Sequence, residues 1–315
     1  MKIISALSVL TFSFALSAMA TPSSVVPSSK VQRKPFNEDV LGKNSVMCLL
    51  AQKMEVHGHR GLGGFPNNTL SSFRAGYDAG ADVAELDLQI TADNHILVAH
   101  DAVPNVGTER CSLHGKSLEK TSLRELPFAE ASQIRCGDRL WTESFTDSIP
   151  ELSAVFAAFK DRKSLAGKPV RLNIEIKYFK DQVQYYPPQD EYLNMILKVI
   201  RDSGWSTDRF FVQSFNHDIL KVLKSKAPDI EFVPLIWDAR DALKAALDVG
   251  SSIVTSGFPQ LTPEVVYQIH QKNVRVISWT PNSVEELKWV IASGADGVIT
   301  DRADLFMQIR RELCE

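Results

Sequence analysis

The sequence has little cysteine, glycine or net charge, and these shortages exclude several classes of protein. Four cysteines and 16 glycines in 315 residues are too few for a miniprotein held by disulfides alone or for a collagen repeat. Since 44% of the residues are hydrophobic, the chain can form a large core and is not intrinsically disordered. A formal net charge of −3 provides no long-range attraction for nucleic acid or anionic lipid.

The first twenty residues are predicted to be an export signal. Lys2 supplies the initial charge, residues 3–16 are almost all apolar or small, and Ala18-Met19-Ala20 is typical of a cleavage site. Thr21 would then be the first mature residue, without the cysteine of a lipoprotein. An N-terminal membrane anchor is the alternative, but no other stretch approaches the roughly 20 apolar residues that span a bilayer. The sequence therefore predicts a periplasmic or secreted protein without a stable membrane anchor.

Residues 21–54 are rich in serine, proline and lysine, and are predicted to form a linker. Export to an oxidising compartment favours disulfide bonds between the four cysteines. Three pairings are possible, and the sequence alone does not choose among them. We favour Cys111–Cys136, which closes one loop, and Cys48–Cys314, which joins the two ends of a compact domain. Four unpaired buried thiols are the alternative.

Beyond residue 54, apolar strand-like runs alternate with amphipathic helical stretches. This alternation predicts an α/β fold, a closed (β/α)8 TIM barrel over residues 55–315. The eight predicted strands are Glu55–His59, Val83–Gln89, Arg171–Ile176, Phe210–Phe215, Glu231–Trp237, Ser252–Ser256, Val274–Thr280 and Gly297–Asp301. Ile96–His100 follows the second strand too closely for a parallel crossover, so we predict an antiparallel return strand around a turn near Asp93. Residues 102–149 have little periodicity and are predicted to be an insertion over the barrel mouth.

Acidic residues interrupt the predicted strands, where a parallel barrel normally has apolar runs. Glu85 and Asp87 are two residues apart and share one strand face, and Glu175 lies on the next barrel strand. Three converging carboxylates repel one another, so a cation is expected among them. Carboxylate oxygens favour Ca²⁺ or Mg²⁺ over Zn²⁺. The alternative is that ion pairs with Arg60 and Lys177 replace the metal.

Other polar and aromatic residues lie near the same strand ends. His59 and His100 are the candidate general acid and base, because histidine titrates closest to neutral pH. His57, which shares a strand face with His59, is expected to have a supporting role. Arg60 and Lys177 are candidates for phosphate binding. The remaining candidate substrate-binding residues are Gln213 and Trp279.

Taken in order, these residues resemble the glycerophosphodiester phosphodiesterase family. The matching stretches are His59-Arg60-Gly61, Pro66-Asn67-Asn68-Thr69, Glu85-Leu86-Asp87, Thr91-Ala92-Asp93, His100-Asp101, Asn173-Ile174-Glu175-Ile176-Lys177, Gln213-Ser214-Phe215 and Gly297-Val298-Ile299-Thr300-Asp301. With the predicted export signal, the chain is most similar to the periplasmic or secreted branch. Asn67 is one departure, because the family usually has glutamate at this position.

The resemblance implies a TIM barrel that hydrolyses glycerophosphodiesters to sn-glycerol 3-phosphate and an alcohol. It implies one divalent cation at Glu85, Asp87 and Glu175, acid–base catalysis by two histidines, and an insertion that encloses the glycerol end. The two histidines are His59 and His100, and the phosphate ligands are Arg60 and Lys177. A small-molecule substrate is expected; the headgroup and the oligomeric state remain open.

Two alternatives remain. One is a phospholipase D-like enzyme acting on lysophospholipid or sphingomyelin, which would need an apolar rim on residues 102–149. The apolar residues there are scattered, namely Leu113, Leu118, Leu123, Leu126, Phe128 and Trp141. The other is an exported barrel that binds a ligand without catalysis.

Overall fold

The computed structural model describes residues 45–105, 110–137 and 146–315. The predicted signal (1–20) and residues 21–44 of the predicted linker lie outside this part of the chain. The described strands are β1 (Glu55–His59), β2 (Val83–Ile90), β3 (Ile96–Val98), β4 (Arg110–Leu113), β5 (Lys116–Ser117), β6 (Arg135–Gly137), β7 (Asp147–Ser148), β8 (Arg171–Ile176), β9 (Phe210–Ser214), β10 (Phe232–Ile236), β11 (Ile253–Gly257), β12 (Arg275–Trp279) and β13 (Gly297–Thr300).

The described α-helices lie mainly between successive barrel strands. They are α1 (Ser45–Lys53), α2 (Leu70–Asp78), α3 (Phe128–Ala131), α4 (Leu152–Phe159), α5 (Gln189–Asp202), α6 (His217–Lys226), α7 (Ala242–Val249), α8 (Pro263–His270), α9 (Val284–Ser293) and α10 (Ala303–Cys314). Helix starts follow local chemistry: the Thr69 side chain accepts from Ser72 N at the start of α2, and Ser283 begins α9 with a capping box.

Eight parallel strands form a closed barrel, which confirms the predicted TIM-barrel fold. The order β1-β13-β12-β11-β10-β9-β8-β2 closes through pairing of β1 with β2. Each predicted barrel strand is present to within one or two residues at its ends. Large apolar side chains fill the space between strands and helices, among them Phe73, Phe156 and Phe306.

The predicted hairpin after β2 is also present. β3 pairs antiparallel with β2, with Leu88 opposite Val98 and Ile90 opposite Ile96. β3 ends two residues earlier than predicted, but Ala99 N still donates to Asp87 O at 3.0 Å. The return segment therefore brings His100 alongside β2, at the carboxyl ends of the barrel strands.

The insertion contains a small sheet with its own core. Its strands have the order β5-β4-β6-β7, and the Cys111–Cys136 disulfide joins directly opposed residues of β4 and β6. Buried residues of the insertion pack with Leu97 and Ala99, which lead to His100. The insertion therefore stabilises the segment that carries this histidine.

The N-terminal boundary of the folded part lies earlier than predicted. The linker prediction is wrong for residues 45–54, because α1 begins at Ser45. Met47, Ala51 and Met54 are buried in the core that also contains α10 residues. The predicted Cys48–Cys314 disulfide is present and links α1 to the end of α10. Apolar packing and this covalent link explain why the segment is ordered.

No described helix has both the length and the apolar character needed to cross a membrane.

Candidate active site

Strand register brings the three predicted acidic residues together. Asp87 on β2 lies opposite Glu175 on β8, and Glu85 lies opposite His59 on β1. All three carboxylates are buried, and one oxygen of each lies within 4.8 Å of one from each of the others. The cluster forms at the carboxyl ends of β2 and β8, where TIM barrels place their catalytic groups.

Two cationic side chains contact this acidic cluster. Lys177 Nζ lies 2.9 Å from Asp87 Oδ1 and 2.6 Å from Glu175 Oε1, and Arg60 Nε lies 3.2 Å from Asp87 Oδ2. These contacts partly match the metal-free alternative. Two positive charges nevertheless leave one of three ionised carboxylates uncompensated in a buried site. The donor set of three carboxylates therefore fits a hard divalent cation.

The carboxylates differ in how their surroundings affect ionisation. Burial, together with Asp87 and Glu175, raises the pKa of Glu85 well above its usual range. Burial also opposes ionisation of Asp87, but Lys177 and Arg60 outweigh it and hold the pKa of Asp87 well below its usual range. Glu85 is thus the carboxylate that gains most from an additional positive charge.

The loop after β1 positions Arg60 and supports the carboxylates. Arg60 N donates to Glu85 Oε2 at 3.1 Å, and the Ser72 hydroxyl donates to Arg60 O at 3.0 Å. Gly61 has φ +106°, and a Cβ atom there would lie 2.1 Å from Ser72 Oγ. Only glycine fits this turn, which explains on steric grounds why glycine follows Arg60.

Asn68, in the stretch that departs from the family pattern, contacts the cluster directly. Its Nδ2 donates to Asp87 Oδ2 at 2.9 Å, and its Oδ1 accepts from Asp87 N at 3.2 Å. The asparagine that remains at position 68 therefore orients Asp87. The substitution at Asn67 leaves this pair of hydrogen bonds in place.

His59 lies against a carboxylate from the opposite end of the sequence. Its Nδ1 is 2.7 Å from Asp301 Oδ1, just beyond β13. Asn282 holds Asp301 in turn, because its Nδ2 donates to Asp301 Oδ2 at 2.6 Å and its Oδ1 accepts from Asp301 N at 2.9 Å. A carboxylate at Nδ1 fixes the orientation of the ring, so that the contact with Asp301 does not occupy Nε2.

His100 has a similar carboxylate partner. Its Nδ1 lies 2.8 Å from Asp101 Oδ1, and the Gln89 side chain donates to His100 O at 2.9 Å. Burial lowers the pKa of His100, although Asp87 acts in the opposite direction. His57, by contrast, points away from this site: its Nε2 lies 3.3 Å from Glu55 Oε2 at the other end of β1.

A cavity of about 440 Å³ unites these groups. It is lined by both candidate histidines and by all the predicted metal and phosphate ligands except Asp87. Gln213 also lines it and donates to Glu85 Oε1 at 3.3 Å. Trp279 lines the cavity as well, and its indole N–H donates to Ile236 O at 3.0 Å.

Sequence reasoning assigned no role to several residues that the structure places here. Asp301 and Asp101 contact the candidate histidines, and Trp237 and Tyr186 line the cavity. Both aspartates belong to stretches that match the family: Asp301 lies at the end of a predicted strand, and Asp101 directly follows His100. These positions were the only features of the sequence that could have indicated a role for them. Trp237 ends a predicted strand that is otherwise mostly apolar, so nothing in the sequence distinguished it from a core residue.

Comparison with known proteins agrees with this geometry. The family model described as "Glycerophosphoryl diester phosphodiesterase family" matches residues 59–305. A Caldanaerobacter subterraneus protein named "Glycerophosphodiester phosphodiesterase" is 27% identical over 82% of this chain and 99% of its own length.

Solved structures have the same fold. A protein from Silicibacter pomeroyi DSS-3 gives a TM-score of 0.73 at 22% identity, covering 83% of this chain and 94% of that chain. An Oleispira antarctica phosphodiesterase, solved in complex with the product sn-glycerol-3-phosphate, gives 0.65 at 21% identity, covering 82% and 96%. Because the family match extends over well more than half of the sequence, the chain belongs to the glycerophosphoryl diester phosphodiesterase family, a family of phosphoric diester hydrolases.

Proposed function

We propose that the protein hydrolyses glycerophosphodiesters to sn-glycerol 3-phosphate and an alcohol, with one divalent cation, Ca²⁺ or Mg²⁺, and two histidines. The observation that carries this proposal is a cluster of three buried carboxylates, two of which, Glu85 and Glu175, line one cavity together with His59 and His100. Family membership and the product named for the Oleispira structure support the same reaction.

Glu85, Asp87 and Glu175 would hold the cation. When bound, a divalent cation neutralises charge on a phosphodiester and orients it for attack. Arg60 and Lys177 would donate hydrogen bonds to the non-bridging phosphate oxygens and stabilise the added negative charge as phosphorus becomes five-coordinate. Their contacts with Asp87 and Glu175 support this role, since both cationic groups lie beside the proposed metal ligands.

The two histidines would transfer protons through Nε2, because a carboxylate engages Nδ1 of each ring. One imidazole removes a proton from the nucleophile, and the other protonates the leaving alcohol. The nucleophile is either water or the 2-hydroxyl of the substrate. Phosphorus NMR of early reaction mixtures distinguishes these routes, since attack by the 2-hydroxyl forms a cyclic phosphate first.

A lipid substrate is the weaker alternative. Leu118, Leu123 and Leu126, which were considered for an apolar rim, are buried in the core of the insertion, while Leu113 and Phe128 pack against it. Trp141 lies outside the described residues. Choline release from glycerophosphocholine and from lysophosphatidylcholine separates the two functions, and we expect turnover only with the former.

Export to the periplasm or the medium is part of the proposal. It is supported by the predicted signal at residues 1–20 and by the two disulfides. Fractionation of cells that produce the full chain tests it, with N-terminal sequencing expected to begin at Thr21. A full-length product that remains in the cytoplasm would contradict export.

The decisive test of the reaction is release of glycerol 3-phosphate from several glycerophosphodiesters, with and without EDTA. We expect release in the presence of Ca²⁺ or Mg²⁺, loss in chelator and recovery when the metal is restored. Tight binding of a diester without product would support a non-catalytic barrel instead. Unchanged release in chelator would remove the cation from the proposal.

A further inference from the structure

The cavity has two sides of different chemistry. The charged side is formed from β1, β2, β3 and β8, which provide or precede the histidine, carboxylate and cationic groups described above. The opposite side is aromatic and lies at the ends of β9, β10 and β12, with Phe215, Trp237 and Trp279. We call these three residues the aromatic corner. A diester phosphate held at the charged side would direct one of its two ester groups towards this corner.

The rings of the aromatic corner form two walls. Phe215 and Trp237 are stacked, with centroids 5.0 Å apart and an interplanar angle of 20°. Trp279 stands nearly perpendicular to both, at 84° to Phe215 and 69° to Trp237, with centroid separations of 5.6 and 4.8 Å. At these separations the three rings pack directly against one another, so a ligand can reach only their outer surfaces, of which that of Trp237 is the most exposed.

The backbone holds the corner in place. The Trp279 indole donates to Ile236 O at 3.0 Å, which fixes its ring. At the end of β11, a Cβ on Gly257 would lie 2.3 Å from Trp237 O, so only glycine permits this close approach. The Trp237 side chain itself is accessible, since the residue is 67% exposed. A large aromatic surface left open at a cavity mouth is typical of a binding site.

The aromatic side of the cavity lacks negatively charged groups, and this restricts the kind of cation that it can bind. Among the described cavity residues, those from β9 to β13 and the loops after them include no carboxylate. A primary ammonium keeps its water unless hydrogen-bond acceptors replace it. A quaternary ammonium donates no hydrogen bonds, so the faces of aromatic rings are sufficient to attract it.

We propose that the aromatic corner binds the trimethylammonium group of a choline headgroup, which makes glycerophosphocholine a preferred substrate. This inference rests on the proposed function, and it deepens it by assigning the headgroup. Trp237 is then the residue that determines specificity, because it is the exposed member of the corner.

The test compares kcat/KM for glycerophosphocholine with that for its neutral isostere, the 3,3-dimethylbutyl glycerophosphodiester. The isostere has the same shape without the positive charge, so the ratio isolates the attraction between the cation and the rings. In the wild-type protein we expect a ratio of about ten or more, and Trp237→Ala should lower it about tenfold. Trp237→Phe should restore most of the preference, since a ring face remains.

Tyr267→Ala is the matched control, because Tyr267 is a 63% exposed aromatic residue on α8 that does not line the cavity. Its ratio should equal that of the wild type. A wild-type ratio near one, or a Trp237→Ala ratio equal to that of the wild type, would overturn the inference. Equal losses with both substrates would indicate general apolar contact and would also overturn it.

A binding measurement separates this inference from the proposed function. Glycerophosphocholine and its isostere are titrated against the protein and followed by tryptophan fluorescence. If neither diester is hydrolysed, the proposed function fails, but preferential binding of the choline compound that is lost in Trp237→Ala would still support the aromatic corner. Equal affinity for both compounds would contradict it.

Discussion

Each end of the barrel contains a charge cluster, and the two clusters differ in which sign of charge is in excess. At the carboxyl ends of the strands, three carboxylates face two cationic side chains. At the opposite end, Glu55 contacts two arginines: it forms an ion pair with Arg171 and lies 3.2 Å from Arg275 Nη2. His57 Nε2 also lies 3.3 Å from Glu55.

The pKa shifts reflect this difference. Burial opposes ionisation of both Glu55 and Glu85. At Glu55, His57 and the arginines outweigh burial and lower the pKa of the carboxyl. At Glu85, the neighbouring carboxylates add to burial and raise the pKa. The charges around Glu55 favour its ionised form without any ligand. The cluster around Glu85 has more negative than positive groups, and a bound cation can supply the missing positive charge.

The largest effect that tests this contrast is expected for Glu85→Gln. Loss of one of the three proposed metal-ligating carboxylates should lower kcat/KM by at least about 10³-fold. Stability in EDTA should change by less than about 1 kcal/mol, since relief of carboxylate repulsion offsets the weaker hydrogen bonds. Kinetics and urea unfolding in EDTA measure the two quantities. A large loss of stability with retained activity would make this cluster structural as well.

Removal of either candidate histidine should have the next largest effect. His59→Ala and His100→Ala should each lower kcat at least about a hundredfold with the fold intact, because positioned acid–base groups contribute about 10²–10⁴-fold. His270→Ala is the matched control: its ring lies 2.8 Å from Asp296, another histidine–carboxylate pair, but it does not line the cavity. Turnover within twofold of the wild type in both variants would refute the acid–base assignment.

Glu55→Gln should affect stability rather than chemistry. Among the described residues, Glu55 is the carboxylate that forms ion pairs with both arginines, so its removal weakens the compensation of two partly buried cations, and we expect a loss of about 2–3 kcal/mol. Activity per folded molecule should stay within twofold of the wild type. Urea unfolding followed by circular dichroism gives the free energy. An unchanged free energy of unfolding would show that this network is not stabilising.

The pH dependence of the Glu55 contribution is the smallest expected effect. Folding lowers the pKa of Glu55. Its contribution to the free energy of unfolding is therefore fully present above the pKa of the unfolded carboxyl, about 4.3, and is lost as pH falls through the pKa of the folded state. The stability difference between the wild type and Glu55→Gln should therefore shrink by about 1 kcal/mol between pH 6 and pH 3. A difference that grows on acidification would reverse the assigned sign.

Much of the fold was predictable because its signals are local. The apolar runs marked the barrel strands, and the short gap between Val83–Gln89 and Ile96–His100 allowed only an antiparallel hairpin. Spacing by two put Glu85 and Asp87 on one face. By contrast, α1 escaped prediction because its apolar residues lie in a segment with linker-like composition, and its packing partners are more than 200 residues away.

The amino-acid sequence by itself determined the alternation of strand and helix, the hairpin and the shared strand face of Glu85 and Asp87, because each depends on periodicity or short chain length. Tertiary structure alone decided that Asp301 supports His59, that an apolar insertion core supports the His100 segment and that Phe215, Trp237 and Trp279 form one corner. These contacts join residues from separate elements of the chain, and for the His59–Asp301 pair and the aromatic corner the closure of the barrel sets the distances.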